Sequence, residues 1–448
     1  MTRARVDFAI VGGGIAGLWM YAALQQLGFS CVLIEANALG SGQTLTSQGI
    51  VHGGLKYALS AQLTPASEAA AAMPARWRAV LASTLTATRS HDPSALHGLP
   101  VLTDACYLLA TTGLADRLVS FLASRSLHGR VDRVQAPGYP AWLAGTGFRG
   151  PVYRLNDFVV DTHAVLRRLA GGGLSARLTN PASSHILHAD IQGYRANATH
   201  VQLQLHSKSG EQEHDRHRFD VEIDAQRLLL CAGAGNAALL GLAGRHVPAM
   251  QLRPLHQVWL RQRPAAAADP SAQFDPRRTS LPDAFAHCLS GTRASEPRLT
   301  ITTHVGARAS SGTRDKVWSL GGALATQGVH RTPQQQIEFT HAELAACVPW
   351  LNTADLQFAT ARIDRAEPHT TTRARPDHAS VHYDDGVFTC WPTKLTLAPD
   401  MADRVVTLIQ AQQLRPRNDA NMSANMDALA HWPRPVLATP IWERLAWS

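Results

Sequence analysis

Residues 6–17 read Val-Asp-Phe-Ala-Ile-Val-Gly-Gly-Gly-Ile-Ala-Gly, an apolar run that leads directly into a glycine-rich turn. The apolar run predicts a buried strand, residues 18–27 predict a helix that ends at a glycine, and residues 31–34 predict a second strand. Glu35 follows that strand at the spacing expected of an acid that binds a ribose hydroxyl. Strand, turn, helix, strand and acid in this order predict a dinucleotide-binding site.

The three spaced glycines of this turn have separate roles in such a βαβ unit. Gly12 permits the tight turn, Gly14 lets the backbone approach a pyrophosphate, and Gly17 lets the helix pack closely on the strand. The phosphates would lie on the N–H groups at the helix N-terminus.

The chain after Glu35 distinguishes between dinucleotides. A nicotinamide-binding domain would continue into a plain strand–helix unit. Residues 40–57 instead read Gly-Ser-Gly-Gln-Thr-Leu-Thr-Ser-Gln-Gly-Ile-Val-His-Gly-Gly-Leu-Lys-Tyr. Because glycines and small hydroxyl residues alternate here, the backbone could lie flat beside a large planar ligand, and Thr44 and Ser47 could donate to phosphate.

This stretch closely resembles the D-amino-acid-oxidase-type superfamily of FAD oxidoreductases. Residues 47–57 are most similar to FAD-dependent glycerol-3-phosphate dehydrogenases and L-2-hydroxyglutarate dehydrogenases, in which a comparable His-Gly-Gly run lies against the flavin. Residues 227–235, an apolar strand that ends in Cys-Ala-Gly-Ala-Gly, resemble the second FAD-contacting strand and turn. Residues 386–399 resemble the closing strand, loop and helix, although Trp-Pro-Thr-Lys stands where the family usually has more glycine. The resemblance implies FAD as the cofactor.

The glycine turn and the resemblance together give the expected FAD-binding residues. They are Gly12, Gly14, Ile15, Ala16, Gly17, Glu35, Ala36, Gln43, Thr44, Ser47, Gln48, Gly49, Ile186, Ala232, Gly233, Lys394, Leu395 and Thr396. The last three begin a helix whose N-terminus would stabilise negative charge on the reduced flavin. No spacing of His, Cys, Asp or Glu predicts a metal site.

The expected fold class is α/β. A chain of 448 residues exceeds a single core, so we expect two domains. One is a Rossmann-like FAD-binding domain with a parallel sheet, the βαβ unit and a β-meander; the other is a substrate domain with a mixed or antiparallel sheet and helices. The expected ranges are 1–85, 150–245 and 355–415 for the FAD-binding domain, 86–149 and 246–354 for the substrate domain, and 416–448 for a C-terminal tail.

Three local patterns make sharper predictions. Asp161 is expected to cap a helix that runs through Leu169. Residues 201–205 alternate with a period of two and predict a half-exposed strand of the meander. Residues 333–346 predict a helix with Pro333 in its first turn.

The amino-acid composition indicates which binding partners and which cellular location to expect. The net charge of +8 is compatible with nucleic acid, an anionic membrane surface or small anionic substrates. Arginine is abundant, lysine is scarce and no block of five basic residues occurs, so a nucleic-acid partner is not expected. Six cysteines without a C-x-x-C pair indicate reduced thiols, and no signal peptide or membrane span is visible. We expect a cytoplasmic protein, with peripheral association with the inner membrane face as an alternative.

Histidines are the candidate bases. Oxidation of an alcohol requires removal of its O–H proton, and a base with a near-neutral pKa helps. His52 is the first candidate for this base or for a flavin contact; its structural alternative is to hold backbone carbonyls in a tight glycine turn. His256 and His304, on presumed strands, could face the substrate side of the flavin or lie in the core or at the surface.

Arginines are the candidate contacts for an anionic substrate. A carboxylate or phosphate favours a guanidinium fork. Arg253 and Arg373 are the candidates among the catalytic residues, with Arg375, Lys56 and Lys394 as further cations.

These features predict an FAD-dependent oxidoreductase, a dehydrogenase or an oxidase. It would oxidise a small anionic substrate at a CH–OH or CH–NH carbon by hydride transfer to flavin N5, with oxygen or a quinone as electron acceptor. The His-Gly-Gly run favours a 2-hydroxy acid or polyol phosphate, whereas the superfamily at large favours amino acids. An alternative is a flavin-dependent modification or biosynthetic enzyme acting on a large partner, such as tRNA or a carrier-bound intermediate. A noncatalytic FAD-binding scaffold is a third possibility.

Overall fold

The computed structural model describes residues 2–53, 65–82, 89–110, 131–171, 185–208, 220–263, 281–289, 296–308, 314–370, 378–417, 429 and 432–448. The strands are β1 (Thr2–Val11), β2 (Cys31–Glu35), β3 (Ile50–Val51), β4 (Val101–Thr103), β5 (Tyr107–Ala110), β6 (Val131–Val134), β7 (Val152–Leu155), β8 (Phe158–Val160), β9 (Ile186–Ala196), β10 (Val201–Ser207), β11 (Asp220–Leu230), β12 (Met250–Gln262), β13 (Ala286–Leu289), β14 (Leu299–Arg308), β15 (Arg314–Gly321), β16 (Leu356–Pro368), β17 (Ser380–Asp384) and β18 (Val387–Trp391). The α-helices are α1 (Ile15–Gln26), α2 (Gln43–Thr46), α3 (Pro65–Leu81), α4 (Thr162–Leu169), α5 (Asn236–Gly241), α6 (Ala323–Gln327), α7 (Pro333–Cys347) and α8 (Ala398–Ala411).

The first sheet is built around β1. Strands β2 and β11 pair with β1 in parallel on either side, β18 pairs with β11 in parallel, and β17 closes the edge antiparallel to β18. The chain crosses from β1 to β2 through α1, so the predicted βαβ unit is confirmed. Because β1, β2, β11 and β18 are parallel, their carboxyl ends meet at one edge of the sheet. Ligands of open α/β sheets bind at this edge.

The predicted β-meander consists of β9, β10 and β11. Strand β9 pairs with both β2 and β10, and β11 pairs with both β1 and β10, so these strands close a ring around an apolar core. Val6, Val32, Leu203 and Ile223 in this core are fully buried. Along β10 buried residues alternate with more exposed ones, as the period of two predicts.

Helices cover the other face of the parallel sheet. Helix α1 is buried on nearly all sides because it lies between β1 and helices α4 and α8. Trp19 of α1 packs on Trp77 of α3 with ring centroids 4.9 Å apart. The predicted cap of α4 is confirmed, since the Asp161 carboxylate accepts a hydrogen bond of 3.0 Å from the N–H of Ala164.

The second sheet has eight strands in the order β16-β12-β15-β14-β13-β5-β7-β6. It is mixed, as expected, because β13 and β5 are parallel while the other neighbours are antiparallel. Helix α7 packs against it and is capped by Thr332, whose hydroxyl accepts from the Gln335 N–H in a capping box, with Pro333 in the first turn as predicted. A three-stranded sheet, β3-β8-β4, completes the described pairings.

The second sheet cuts across the domain boundaries expected at residues 150 and 355. Strand β7 lies within 150–245, yet it pairs with β5 and β6. Strand β16 lies within 355–415, yet it pairs with β12 along its whole length, from Leu356 to Pro368. Both strands therefore belong to the second sheet, named the substrate sheet after the domain expected to contain it, because long-range pairing and not chain order determines membership of a sheet.

The C-terminal tail docks on the body of the protein. Leu437 forms a bridge with Leu39, and the Trp442 ring lies 4.9 Å from the ring of His304 in β14. Ser448 exchanges backbone hydrogen bonds with Phe358 at the edge of β16. Within the described residues we find no helix with the length and apolar character needed to cross a bilayer.

Candidate functional site

A cavity of about 1050 Å³ lies between the carboxyl edge of the parallel sheet and the substrate sheet. This volume is at the upper end of the ~300–1,000 Å³ typical of small-molecule and cofactor sites. Its wall includes the glycine turn, the ends of β2 and β11, the loop before α8, and residues of β12, β14 and β16.

The glycine turn has the geometry that its spacing predicts. Gly12 has φ +106°, and a Cβ there would lie 2.7 Å from Ala232 Cα. A Cβ on Gly17 would lie 1.8 Å from the Gly12 carbonyl oxygen, so helix and strand require glycine at their crossing. A Cβ on Gly14 would meet only Thr44 Oγ1, at 3.1 Å, so this position leaves room towards the cavity.

Glu35 lies beside this turn on the cavity wall. Its Oε2 accepts a hydrogen bond of 2.6 Å from the Gly13 N–H, and its Oε1 accepts one of 2.7 Å from the Asn37 N–H. Thr44, expected to bind phosphate, accepts from the Ile15 N–H at 3.0 Å, which leaves its hydroxyl hydrogen able to donate. The N-terminus of α1, Glu35 and Thr44 thus meet where the pyrophosphate and ribose are expected.

The expected FAD-binding residues line the cavity, with the exceptions of Gly17 and Ile186. Gly17 lies beneath the turn and shapes it through the close crossing with Gly12. Ile186 is buried in the core, where it pairs with Leu33 of β2. The residues of β9 that reach the cavity lie further along the strand: Ala189, Asp190 and Ile191.

Gln48 joins the loop between α2 and β3 to the substrate sheet. Its amide nitrogen donates to the Ser319 carbonyl at 2.8 Å, and its oxygen accepts from the Thr300 hydroxyl at 2.7 Å. This one side chain therefore ties the loop between α2 and β3 to strands β14 and β15.

Together these residues fit FAD. A glycine turn with an open Gly14, a helix N-terminus and the carboxylate of Glu35 match a pyrophosphate and a ribose, and the cavity continues past Ala232 and Thr396 to the second sheet. Cys390, at the end of β18, also lines it; a hydrogen bond with Cys231 and burial raise the pKa of its thiol.

His52 lies at the end of the cavity that faces the substrate sheet. Its Nδ1 is 3.2 Å from Asp157 Oδ2, and its backbone carbonyl accepts from the Thr396 hydroxyl at 3.3 Å. The first candidate base is thus joined to a residue expected to hold FAD.

Asp157 and His287 complete this end of the cavity, and sequence reasoning did not find them. Asp157 lies in the turn between β7 and β8, and burial alone would raise its pKa. The hydrogen bond and charge of His52, the charge of His287 and the Gly53 N–H lower that pKa overall. Burial lowers the pKa of His287 to about 4, with the charge of Asp157 opposing and that of His52 assisting. His287 is a lone histidine in the apolar strand β13, and Asp157 is a single aspartate in a turn. Neither lies at a sequence spacing from another polar residue that would predict a shared site.

Two candidate substrate contacts do not line the cavity. In β12 Leu255 and Gln257 face it, so His256, between them, points to the other side, where its Nδ1 lies 3.0 Å from the Gly328 carbonyl. Arg253 directs its guanidinium to Glu367 of β16, with bonds of 2.9 and 2.6 Å. The alternation of a strand explains the first correction, and a buried carboxylate on the neighbouring strand explains the second.

Of the remaining candidate catalytic and substrate-binding residues that the structure describes, one lines the cavity and one does not. His304 bonds to Thr302 and packs on Trp442 away from the cavity, whereas Lys394 lines it. Arg373, Arg375 and Lys56 lie outside the described residues, so their assignments remain predictions.

Comparisons with known proteins agree with this geometry. The family model of the DAO type, FAD dependent oxidoreductase, matches residues 7–391. A probable FAD-dependent oxidoreductase from Pseudomonas aeruginosa is 40% identical over 441 residues, which cover 98% of this chain and 97% of that protein.

Solved structures show the same fold. The crystal structure of an FAD-dependent oxidoreductase from Pseudomonas aeruginosa has 36% identity and a TM-score of 0.73, with 99% of each chain covered. Glycine oxidase from Geobacillus kaustophilus has 16% identity and a TM-score of 0.58, covering 94% of this chain and 98% of that one. Glycerol-3-phosphate dehydrogenase from Bacillus halodurans, complexed with FAD, has 15% identity and a TM-score of 0.50, covering 93% and 66%. The chain belongs to the DAO family of FAD-dependent oxidoreductases.

Proposed function

We propose that this enzyme oxidises a small anionic substrate at a CH–OH or CH–NH carbon, with oxygen or a quinone as the final electron acceptor. The observation that carries the proposal is one continuous cavity, lined by expected FAD-binding residues from the glycine turn to Thr396, with His52, Asp157 and His287 beside Thr396. Bound FAD would supply the acceptor for the hydride that leaves the substrate carbon. His52 would accept the proton of the neighbouring hydroxyl or amine.

Cationic side chains on the cavity wall support an anionic substrate. Arg362 and Arg365 of β16 line the cavity, as does Lys394. The Arg362 guanidinium donates to the backbone carbonyls of Val329 and Arg331, and neutral carbonyls orient this charge without cancelling it. A carboxylate or phosphate on the substrate would find its partner on this wall.

Both reaction types stay in the proposal. The structural relatives include proteins named glycine oxidase and glycerol-3-phosphate dehydrogenase, so amine and alcohol oxidation both occur on this fold. The geometry around His52 supports the alcohol, because an alcohol must lose its proton whereas an amine reacts once its nitrogen is neutral.

Anaerobic reduction of the purified holoenzyme tests the proposal. A panel of stereochemically defined 2-hydroxy acids, polyol phosphates and amino acids is added, and bleaching of the flavin absorbance is followed. We expect one class to bleach the flavin in the wild type and not in His52→Gln, with FAD content unchanged in the variant. Re-oxidation by oxygen or by a soluble quinone then identifies the acceptor. If no compound of any class bleaches the flavin, the proposal is overturned.

We further propose a cytoplasmic location with peripheral contact to the inner membrane face. The net charge of +8 supports attraction to anionic lipid. The enzyme should then pellet with membranes at low salt and leave them at high salt. Retention in the supernatant at both salt concentrations would contradict the membrane contact.

A further inference from the structure

Three side chains from distant parts of the chain meet at the substrate end of the cavity. His52 follows β3, Asp157 lies between β7 and β8, and His287 belongs to β13. Their ligand atoms all lie within 4.8 Å of one another, and the two imidazole centroids are 5.9 Å apart. All three line the cavity.

Asp157 is in a position to orient His52. Its Oδ1 accepts from the Gly53 N–H at 2.8 Å, and its Oδ2 is 3.2 Å from His52 Nδ1. Because the ionised carboxylate can only accept, the hydrogen on His52 is placed on Nδ1. The remaining ring nitrogen, Nε2, is then the atom that can take a proton.

His287 is buried and 4% exposed, and neither of its ring nitrogens has a hydrogen-bond partner among the described residues. Its Nε2 lies 3.9 Å from Asp157 Oδ2, beyond hydrogen-bond distance. A neutral imidazole offers one donor and one acceptor, and a buried polar side chain without partners lowers stability. This unmet hydrogen-bonding capacity belongs to a residue of the cavity wall.

We propose that Asp157 is a positioning residue for His52 and that His287 binds the reacting hydroxyl or amine of the substrate. The proposal rests on the function proposed above. In the step that these residues serve, one O–H or N–H bond of the substrate breaks and one N–H bond forms at His52 Nε2. The electron pair of the broken bond stays on the substrate heteroatom. His287 holds that heteroatom beside His52 by a hydrogen bond.

Other charged groups around the three residues are few in the described structure. The Arg78 guanidinium of α3 packs over the ring of Phe158 and donates to the Asn156 carbonyl. Cys106 donates its backbone N–H to the Asp157 carbonyl, and Lys394 lines the same cavity.

Two imidazoles and a carboxylate are also a set of metal ligands. Tetrahedral zinc, with bonds of ~2.0–2.1 Å, holds donor atoms about 3.3 Å apart. The 3.9 Å between Asp157 Oδ2 and His287 Nε2 is wider, and Asp157 Oδ1 already accepts from Gly53. The wide spacing to His287 favours a hydrogen bond between His52 and Asp157 over an ion shared by all three residues.

The role of Asp157 is tested by the tautomer of His52, which needs no substrate. Long-range ¹H–¹⁵N spectra of holoenzyme labelled at histidine should show His52 with its hydrogen on Nδ1, assigned by comparison with His52→Gln. In Asp157→Asn the amide can donate to Nδ1, so the hydrogen should move to Nε2. Unchanged His52 signals in Asp157→Asn, with FAD content intact, would overturn the positioning role.

The role of His287 is tested by stability against a matched control. His287→Leu removes an unpartnered polar group and should raise Tm by a few degrees. His304→Leu, which replaces an equally buried histidine that bonds to Thr302 and packs on Trp442, should lower Tm. A fall in Tm of His287→Leu equal to that of His304→Leu would make His287 a structural residue and overturn its assignment.

Kinetics with a compound that bleaches the flavin complete the test. We expect Asp157→Asn to lower kcat by about 10²–10⁴-fold and His287→Leu to raise KM about tenfold. The kcat and KM of His304→Leu should stay near those of the wild type.

Equal kinetics in all three variants would overturn this inference and leave the proposed function standing. If nothing bleaches the flavin, the proposed function and the substrate-binding role of His287 both fail, and the tautomer measurement still decides whether Asp157 positions His52. Stoichiometric zinc or iron that is lost in Asp157→Asn would replace the inference by a metal site.

Discussion

The glycine-turn end of the cavity is built from residues close together in the sequence, whereas its histidine end is built from residues far apart in the sequence. Gly12, Gly17 and Glu35 belong to one βαβ unit, and backbone N–H groups and absent side chains shape that end. At the other end, His52, Asp157 and His287 come from three segments that only the packing of two sheets brings together. The first end therefore depends on steric fit close along the chain, and the second depends on side-chain electrostatics across the fold.

The largest expected effect is at the glycine crossing. Gly17→Ala places a Cβ 1.8 Å from the Gly12 carbonyl oxygen, so strand and helix must separate. We expect a loss of more than about 4 kcal/mol in the free energy of unfolding and a preparation without FAD. Thermal unfolding and the visible spectrum measure both.

Gly14→Ala is the matched control for this change. Its Cβ meets only Thr44 Oγ1, at 3.1 Å, so the variant should fold and bind FAD more weakly. A Gly17→Ala protein with full FAD content and wild-type Tm would show that the close crossing of α1 and β1 does not shape the glycine-turn end of the cavity.

Acid should weaken the protein through its buried histidines. Burial lowers the pKa of both His287 and His304 to about 4, so between an unfolded-state pKa of ~6.5 and pH 4 the unfolded chain binds protons that the folded chain does not. The free energy of unfolding should therefore fall as pH drops through this window, by up to about 3 kcal/mol for each histidine. Urea unfolding at pH 7, 5 and 4 measures the loss.

A comparison of His287→Leu with the wild type separates the contribution of His287 to this pH-dependent loss of stability from that of the carboxylates. His287→Leu should lose less stability between pH 7 and pH 4 than the wild type does. An identical pH dependence in the two proteins would mean that His287 is not held neutral at the histidine end.

Arg253→Gln should affect stability and not turnover. Glu367, with a side chain only 2% exposed, would lose the guanidinium that it accepts from. Because Arg253 itself is partly exposed, we expect about 2 kcal/mol, less than the loss for a fully buried pair. Urea unfolding measures this loss, and a large rise in KM without any loss of stability would return Arg253 to the substrate site.

The smallest expected effect is at Glu35. Glu35→Gln keeps the shape but replaces a charged acceptor by a neutral amide beside the expected ribose site. Because the amide oxygen of glutamine can still accept a hydrogen bond, only part of the ~1.5–3 kcal/mol of a hydrogen bond to a charged group is lost, and we expect FAD affinity to fall roughly tenfold. Equilibrium dialysis against FAD measures it, and unchanged affinity would remove Glu35 from the list of FAD-binding residues.

Short-range patterns could be recognised from the sequence with good detail. The βαβ unit, the meander strand β10, the cap of α4 and the capped start of α7 all follow from spacing and local hydrogen bonding, and the structure has each of them. The geometry of the expected FAD-binding residues at the turn was predictable for the same reason, because it is contained within one unit of chain.

The tertiary structure alone determined which sheet takes β7 and β16, which side of β12 meets the cavity, and how Asp157 and His287 join His52. Nothing in the local sequence distinguishes His256 from Gln257 as the residue that faces the ligand, because a shift of one position in a strand reverses its side. Sequence alone was enough for the cofactor, because the site expected for its pyrophosphate and ribose lies within one βαβ unit. It was not enough for the histidine end, whose side chains are brought together by pairings between strands far apart in the chain.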